Sequence, residues 1–488
     1  MLGKHGKARL RDTILCRAST VAAVWLLAAM TGCGSFDGQK VRREHAGLFQ
    51  SSSRELTEHE LEGRKSLTLG DCIAIALRNN LQVRMAEIQG RIAHMDRLVS
   101  FAAFLPMVEA TGGLTAVDRQ PMLRFSALQA GQSMFIPMQD RTVGRAALQA
   151  QIPIFRPSTW FLYRASQRGE ETGALLQEYT QQRIRIEVTS QYFNCLSLRE
   201  SKRSVGGQIT ASRQLQAEIE ARHAQGLAED WEVEQVRNRV LAYQIEQERF
   251  DRAEAAEEAD LMSLMGLSPL ARCTLAGPAS LQAPSGDVAE LTAQALLSHP
   301  QLHVADRDVA ISREQVKVAI AGFLPDITAT LGGAYSSDSY LKYSTWLSGG
   351  LSGVMTVFNG FANVNQYRIA REREEETWLR REECCLSVIV QVTRAHASLR
   401  DAERDVELAA KNLGVAVTRL AVAGSKWHEG LASSADLLEA VAACDLAASD
   451  YQCAKFRQQV CIAALLHAMG RNCYPAAGQE QAQSTQGR

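Results

Sequence analysis

The amino-acid sequence predicts an α+β membrane protein made of two copies of one unit, and three observations carry this prediction. Similar segments recur in the same order at a nearly constant spacing along the 488 residues. Each copy contains two stretches of about ten residues in which apolar and polar side chains alternate, the length and pattern of a tilted transmembrane β-strand. Each copy also contains a long proline-free stretch of helical pattern. A soluble antiparallel sheet would alternate in the same way, but the export signal and the duplication favour membrane strands.

The N-terminus has the layout of a bacterial lipoprotein signal peptide. A basic stretch precedes about ten apolar residues, Val21–Met30, which are too few to span a bilayer as a helix. Two small residues then lead to Cys33, whose thiol is the expected site of lipid attachment. We therefore expect cleavage after residue 32 and an exported, lipid-anchored chain in the cell outer membrane. An uncleaved N-terminal anchor is the alternative.

Composition argues against several classes of site. The formal charge is −1, with 22% charged residues, which offers no basic surface for nucleic acid. Once Cys16 and Cys33 are set aside, nine of the eleven cysteines remain, and no Cys-x-x-Cys pair is present to form a zinc or thioredoxin-type site. Buried thiols and disulfides both stay open for the five cysteines in helical patterns, which are Cys384, Cys385, Cys444, Cys453 and Cys461.

The internal repeat is clearest at two motifs. Phe104–Pro106 returns as Phe323–Pro325, an offset of 219 (325 − 106), and Gly226–Ala228 returns as Gly430–Ala432, an offset of 204 (430 − 226). The smaller offset places extra residues in the first copy, in the loop between its two strands. The predicted division is a signal peptide (1–32), a lipidated linker (33–66), a first repeat (67–266), an equatorial linker (267–288), a second repeat (289–470) and a C-terminal tail (471–488).

Each copy is predicted to run helix, strand, strand, long helix, helix. Apolar residues change from a spacing of three and four to strict alternation after each Phe-Leu-Pro corner. One long helix beside two shorter, collinear helices is the arrangement of a cylinder wall. The predicted elements are helix Leu69–Leu105, strands Val108–Ala116 and Ala146–Ile154, and helices Ser158–His223 and Glu229–Gly266 in the first copy, then a helix ending at Leu324, strands Ile327–Tyr335 and Ser348–Val357, and helices Phe361–Gly424 and Ser433–Gly470 in the second.

The order of these motifs, found twice, resembles one family. Leu69–Asn80 is similar to the opening L-x-x-A-x-x-x-A-L-x-x-N, and Phe104–Pro106 to the family's helix-to-strand corner. Phe358–Gly360 is similar to its strand-to-helix corner, and the two Gly-Leu-Ala turns to its hairpin tips. From about Leu69 to Gly470 the chain resembles the TolC-like outer membrane factors of tripartite efflux and type I secretion systems, in their lipidated branch.

The resemblance implies a homotrimer, in which four strands per chain close a 12-stranded transmembrane β-barrel and the helices form a long coiled-coil periplasmic barrel. It implies a passive outer-membrane exit duct that docks to a periplasmic adaptor, or membrane fusion protein, and to an inner-membrane transporter. We expect no enzymatic activity, cofactor or metal. A non-channel periplasmic lipoprotein, a helical-hairpin scaffold or adaptor, is the alternative, which the duplicated strand pairs disfavour. No motif identifies the transported substrate.

The two hairpin tips are the predicted docking sites for the adaptor. Each tip has a basic residue four positions before a glycine suited to positive φ, followed by a leucine on an exposed turn. Chance would also leave a leucine there, but its recurrence and the family's Gly-Leu tip motif favour docking. The residues are Arg222, Gly226, Leu227 and Ala228 in the first tip, and Lys426, Gly430, Leu431 and Ala432 in the second.

Acidic residues just beyond the tips match in position the pair that lines the closed periplasmic aperture in the family. Asp436 and Glu439 share one helix face, and Glu232 is the first-copy equivalent of Asp436. Three chains would gather these carboxylates at one constriction. An ordinary helix start explains acidic residues equally well, because the helix N-terminus favours negative charge.

Two weaker patterns concern metals. His299 and His303 are four apart but lack the glutamate of a zinc-protease motif, so a helix N-terminus and a surface histidine are the simpler interpretation. The exposed loop Asp118–Arg141 holds three methionines, whose thioethers could bind Cu(I) but more often serve adaptable packing. These methionines are Met122, Met134 and Met138.

Overall fold

The computed structural model describes residues 37–126 and 133–472, in two units. The predicted signal peptide, the lipidation site Cys33 and the end of the chain after residue 472 lie outside the described residues. The first unit extends to Gly63 and contains helix α1 (Gly38–Leu61). The carboxylate of Asp37 caps this helix by accepting hydrogen bonds from the first free backbone N–H groups.

The second unit begins at Arg64, and its elements follow one order twice. In the first copy they are α2 (Leu69–Asn79), α3 (Leu81–Ala102), β1 (Met107–Ala116), the hairpin of β2 (Met122–Ser126) and β3 (Ser133–Pro137), β4 (Thr142–Phe155), α4 (Pro157–Ala224) and α5 (Asp230–Leu264). In the second copy they are α6 (Val288–Ser298), α7 (Pro300–Ala321), β5 (Asp326–Ser336), β6 (Thr345–Val354), α8 (Ala362–His428) and α9 (Ser434–Ala468).

The predicted long helices and the four alternating strands are confirmed. Helix α4 has 68 residues and α8 has 67, and each starts within one residue of its predicted position. Because proline-free heptad spacing and strict alternation are strong signals over such lengths, sequence patterning alone locates these elements. The α+β class and the repeated order of elements agree with the prediction.

The prediction of one continuous helix over Leu69–Leu105 is wrong, because the chain breaks at Asn80. This residue has extended backbone angles, and its Oδ1 caps α3 by accepting from the N–H groups of the second and third helical residues. Its Nδ2 donates to the carbonyl oxygen of Leu264 at 2.8 Å. The second copy breaks at the equivalent position, His299, which Pro300 follows. Each copy therefore has an elbow between its first two helices.

Two predictions in the sheet region also need correction. The loop predicted for Asp118–Arg141 contains the additional hairpin β2–β3, which accounts for the extra residues of the first copy. Strand β6 ends at Val354 rather than at Val357. Since Val354 pairs with Asp326, the first residue of β5, the residues that follow have no strand partner.

The helices form two rows of four, and the long helices α4 and α8 belong to both rows. Near the strands, the neighbours are α3, α4, α7 and α8 in that order. Toward the hairpin turns, the order is α5, α4, α9 and α8. Thus α4 is an inner helix throughout and α8 is always at an edge, while α3 and α5 form the other edge in their respective rows.

Beside the elbows, the linker after α5 lies across the inner helices. The chain at Leu67 pairs with Thr274 and Ala276, with backbone hydrogen bonds of 2.8 and 2.7 Å. The hydroxyl of Tyr192 on α4 donates to the carbonyl oxygen of Ala276 at 2.8 Å, and the side chain of Gln459 on α9 accepts from a linker N–H. The largest fully buried side chains are concentrated here, including Tyr192, Phe193, Leu69, Ile75, Leu261, Met262, Met265, Leu465 and Met469. We call this region the waist, and it holds the largest fully buried side chains of the core.

None of the helices in the described ranges combines the length and the apolar character needed to cross a membrane.

Candidate channel wall and hairpin tips

The four-stranded sheet has one polar and one apolar face. The strands are antiparallel in the order β1, β4, β5, β6, and residues directly opposite each other share a face. The register therefore gathers most of the polar residues of the four strands on one side, among them Glu109, Thr111, Thr115, Arg145, Gln149, Gln151, Thr328, Thr330, Ser348 and Ser352. The opposite side carries Val108, Ala110, Leu114, Ala146, Leu148, Ala150, Ile327, Leu331, Leu347 and Leu351.

The apolar face of the sheet is open in the single chain. Leu114, Leu148, Leu331 and Leu351 are all exposed. Contiguous exposed apolar surface of this kind indicates contact with lipid or with another molecule. A two-faced sheet separates a watery side from an apolar side, which is what a membrane channel wall requires.

Both hairpin tips have the same backbone geometry, a Schellman motif. In the first tip, the N–H of Leu227 donates to the carbonyl of Arg222 at 2.9 Å, and that of Gly226 donates to His223 at 2.8 Å. The second tip repeats these bonds, from Leu431 to Lys426 and from Gly430 to Trp427, at 2.7 and 3.0 Å. The glycines have φ of +70° and +73°, as predicted from sequence.

The leucines that follow the tip glycines are largely exposed. Leu227 is 65% exposed and Leu431 is 73% exposed. The structure therefore brings the predicted tip residues together, with Ala228 and Ala432 just past each leucine, and leaves an apolar side chain in solvent at each turn.

Each tip also carries an exposed tryptophan that sequence analysis did not single out. Trp231 lies in the first turn of α5, and Trp427 lies in the last turn of α8. Ion pairs brace the first tip, where the His223 ring lies 2.7 Å from the Asp230 carboxylate and Arg237 contacts Glu220 at 2.9 Å. The sequence did contain a signal for these exposed side chains, because each tryptophan lies within one turn of a predicted helix end.

The three predicted aperture residues have local partners. Asp436 belongs to a capping box, in which its carboxylate accepts from the N–H and hydroxyl of Ser433, and these bonds hold the pKa of Asp436 below its usual value. Glu232 makes the equivalent bond to the N–H of Glu229 at 2.9 Å. Glu439 pairs with Arg419 across the hairpin at 3.1 Å. The carboxylates thus stabilise helix starts and the hairpin, and they also lie within the first turns beyond the tips.

The histidines of the second elbow behave as the sequence predicted. His299 is the N-cap of α7, since its Nδ1 accepts from the N–H of Gln301 at 3.2 Å, and His303 is exposed. The His299 side chain is only 1% exposed, and burial lowers its pKa to about 4. Its neighbours are Tyr179 of α4 and His467 of α9. Within the described ranges no group of three or more His, Cys, Asp or Glu side chains is arranged to hold a metal ion.

The eight cysteines of the described part of the chain are free thiols. The five that the sequence placed in helices lie in α8 and α9. Cys72 and Cys195 are fully buried at the waist, and burial raises the pKa of Cys195 to about 12. A thiol with so high a pKa is a poor nucleophile, so these two residues act as small apolar side chains.

Comparison with known proteins gives consistent results. Protein CyaE of Bordetella pertussis is 25% identical to this chain over 383 residues, which cover 77% of this chain and 78% of that protein. The outer membrane channel CmeC of Campylobacter jejuni has a TM-score of 0.70 at 15% identity, covering 86% of this chain and 88% of its own. The outer membrane protein VceC of Vibrio cholerae has a TM-score of 0.66 at 16% identity, covering 83% of this chain and 97% of its own.

At 15% and 16% identity, the two structural similarities show the fold alone. The outer membrane efflux protein family, in contrast, matches in sequence over residues 72–267 and 291–471, most of both copies. The resemblance to TolC-like channels drawn from the motifs is thereby confirmed, and the chain belongs to the outer membrane efflux protein family.

Proposed function

We propose that this outer membrane efflux protein is a passive exit duct formed by three copies of the chain, without a catalytic step of its own. The observation that carries the proposal is a packing seam that is satisfied in one copy of the repeat and open in the other. The seam lies on the first helix after each elbow, α3 in the first copy and α7 in the second.

The repeat offset of 219 relates Met85, Ile92 and Val99 of α3 to Val304, Ile311 and Val318 of α7. On α7, which is an inner helix, all three are partly buried, and Val304 and Ile311 line a groove against α8. On α3, which is an edge helix, Met85, Ile92 and Val99 are exposed, together with Leu81, Ile88 and Met95. Because a helix covers the equivalent surface in the second copy, we infer that a neighbouring helix covers it on α3 in the assembly.

The other edge of the row has a matching surface. In the half of α8 nearer the tip, the less exposed residues recur every three or four positions and face α9. Leu408, Val415 and Val422 recur every seven positions on roughly the opposite side and are exposed. On α5, Trp231 and Ile245 likewise lie opposite the buried valines that face α4. Each chain thus offers one open edge on α8 and another on α3 and α5, which suits a closed ring of copies joined edge to edge.

The sheet supports the same assembly. Four strands leave unpaired backbone groups on β1 and β6, and each unpaired group in lipid costs several kcal/mol. Closure by copies of the same chain removes both edges. We propose a 12-stranded barrel from three chains, with the polar face toward the lumen and the apolar face toward lipid. The acyl chains proposed for Cys33 would add a second attachment to the outer membrane.

The partners follow from the tips. We propose that each tip binds a periplasmic adaptor, which links the duct to an energised inner-membrane transporter. The exposed leucine and tryptophan of each tip supply the apolar anchors that interfaces use. Two tips per chain in three chains would give a ring of similar sites.

Trimer formation can be tested with two valines on α8. Val415 lies in the exposed stripe, whereas Val417, also exposed, lies beside the face that packs on α9. We expect Val415→Asp to abolish or strongly weaken the trimer because a charge would enter the edge-to-edge interface. The matched variant Val417→Asp should assemble normally. The measurement is the mass of the detergent-solubilised protein by light scattering, with helix content from circular dichroism.

A monomeric native protein would contradict the proposed duct. A trimer that tolerates Val415→Asp would exclude α8 as an interface helix. Ion conductance of the native trimer in a planar bilayer tests the channel itself.

A further inference from the structure

Two connections link the strands at the end of the sheet farthest from the helices. All four strands join helices at one end, so the opposite end holds the residues between β1 and β4 and those between β5 and β6. In an outer-membrane duct this is the extracellular end. The first connection includes the hairpin β2–β3, and the second covers residues 337–344.

The two connections are bound to each other by reciprocal hydrogen bonds. The N–H of Asp140 donates to Oδ1 of Asp338 at 3.0 Å. The N–H and the hydroxyl of Ser339 donate to the carboxylate of Asp140 at 2.7 and 3.0 Å. Gln120 also donates to the hydroxyl of Tyr340 at 3.3 Å. Hydrogen bonds to a carboxylate are among the stronger ones, so Asp140 is the centre of this latch.

In the described residues, the second connection folds onto the polar face of the sheet. Val143 pairs with Thr115 and Ser336 pairs with Arg145, so both residues belong to the polar face. Both are only 1% exposed, whereas Gln149, farther along β4, is exposed and Thr328, at the other end of β5, is partly exposed. Asp338, in the second connection, is buried as well. The N–H of Asp338 donates to the hydroxyl of Ser336 at 3.3 Å, so the second connection begins by folding onto this face.

We propose that the latch of Asp140, Asp338 and Ser339 holds the two connections over the lumen and so narrows the outer mouth of the channel. This inference rests on the proposed trimer, because the polar face faces the lumen only in the closed barrel. Three copies then place three inward-folded connections around one opening. Passage at the outer end is set by this latch, independently of the aperture at the hairpin tips.

Access through the outer mouth can be measured directly on intact cells. Gln149 lies on the polar face, in the middle of β4, so Gln149→Cys provides a target inside the barrel. The probe is a bulky, membrane-impermeant maleimide added from outside, with the parent protein as background for the native thiols. Because the reagent reaches the lumen from the cell exterior, the state of the tips does not affect the readout.

Opening of the latch should speed this labelling. We expect Asp140→Ala, in the Gln149→Cys background, to raise the labelling rate about tenfold, since it removes charge-assisted hydrogen bonds from a single closed arrangement. Ser339→Ala removes one bond only and should give a smaller rise. Asp118→Ala is the matched control, because Asp118 lies in the same connection with its side chain 99% exposed, and it should leave the rate unchanged.

Equal labelling rates in all four proteins would overturn the latch, provided that each is a trimer. If Asp140→Ala fails to assemble, Ser339→Ala decides, and an unchanged rate in that variant would overturn the proposal. Loss of the trimer in the native protein is a different result, which would refute the proposed duct.

Discussion

Gly226 and Gly266 have the same left-handed backbone but different surroundings. Both have φ of +70°, which glycine adopts without strain. An added Cβ would meet nothing within 4 Å at Gly226, whereas at Gly266 it would overlap the backbone of Asn79. Residues with the same sequence signal, a glycine after a helix, therefore have unequal structural roles.

Alanine substitution should separate the two glycines. Gly226→Ala should cost about 1–2 kcal/mol, the ordinary penalty for a left-handed residue. Gly266→Ala should cost more, because the Asn79–Asn80 elbow must also move. Thermal unfolding of the purified protein provides the comparison, and equal melting temperatures for the two variants would contradict the packing at the elbow.

The buried His299 predicts acid sensitivity of the waist. Its folded pKa of about 4 lies below the unfolded value of about 6.5, so below pH 6.5 the unfolded chain binds a proton that the folded chain does not. Stability should fall as pH drops from about 6.5 to 4, by about 3 kcal/mol at most, with no further loss from this residue below that. The pKa of His467 is lowered by burial and by Arg183, which adds in the same direction.

His299→Asn is the matched test of this pH dependence. Asn80 occupies the equivalent elbow of the first copy and caps its helix, so asparagine keeps a capping acceptor without titrating. The variant should have a flatter profile of melting temperature against pH between 4 and 6.5. An unchanged profile would exclude His299 as the source.

At the scale of elements, sequence patterning succeeded where the pattern is long. The long helices and the main strands each have ten or more residues of one period, so their positions could be predicted. The break at Asn80 could not, because apolar spacing continues across it and only the tertiary bond to Leu264 shows its role. The hairpin β2–β3 was missed because its strands have only five residues each. Likewise, the tip glycines could be predicted because the turn is a local motif. The Asp140 latch could not be predicted, because it joins residues about 200 positions apart in the sequence.

The capping boxes allow a sharper test of the aperture. If Asp436 and Glu439 line a constriction, Asp436→Ala with Glu439→Ala should raise single-channel conductance and reduce block by cations. Ser433→Ala disrupts the same cap but keeps both carboxylates, and at a cost of about 1 kcal/mol it should leave conductance unchanged. Equal currents from the native protein and the double variant would leave Asp436 with its capping role and Glu439 with its ion pair to Arg419.

At the scale of the whole molecule, the single chain leaves several packing and pairing surfaces uncovered. Its helix rows end in apolar edges, its sheet ends in unpaired strands, and its tips present apolar side chains to solvent. In the proposed trimer the edges meet copies of the chain, and the tips are left for the proposed adaptor. Assembly and adaptor binding would therefore use separate surfaces.

That separation predicts a variant that assembles but does not export. Gly226→Asp with Gly430→Asp places charges at both tips, where an added Cβ meets nothing within 4 Å. Export should be lost, while trimer mass and outer-membrane localisation should be kept, because the tips lie at the opposite ends of α4 and α8 from the strands. Gly414→Asp, at an open helical glycine away from the tips, is the control. Normal export by the double variant would rule out the tips as the docking site.

The position of α9 also sets the order of events during biogenesis. Toward the tips this helix lies between α4 and α8, so α8 has no neighbouring helix there, and α4 lacks one of its two, until α9 has been exported. By then α4 has been outside the cytoplasm for more than 200 residues of translocation, with its face toward α9 uncovered. A nascent chain of this kind needs protection in the periplasm, and truncations before α9 should be degraded rather than accumulate as shorter channels.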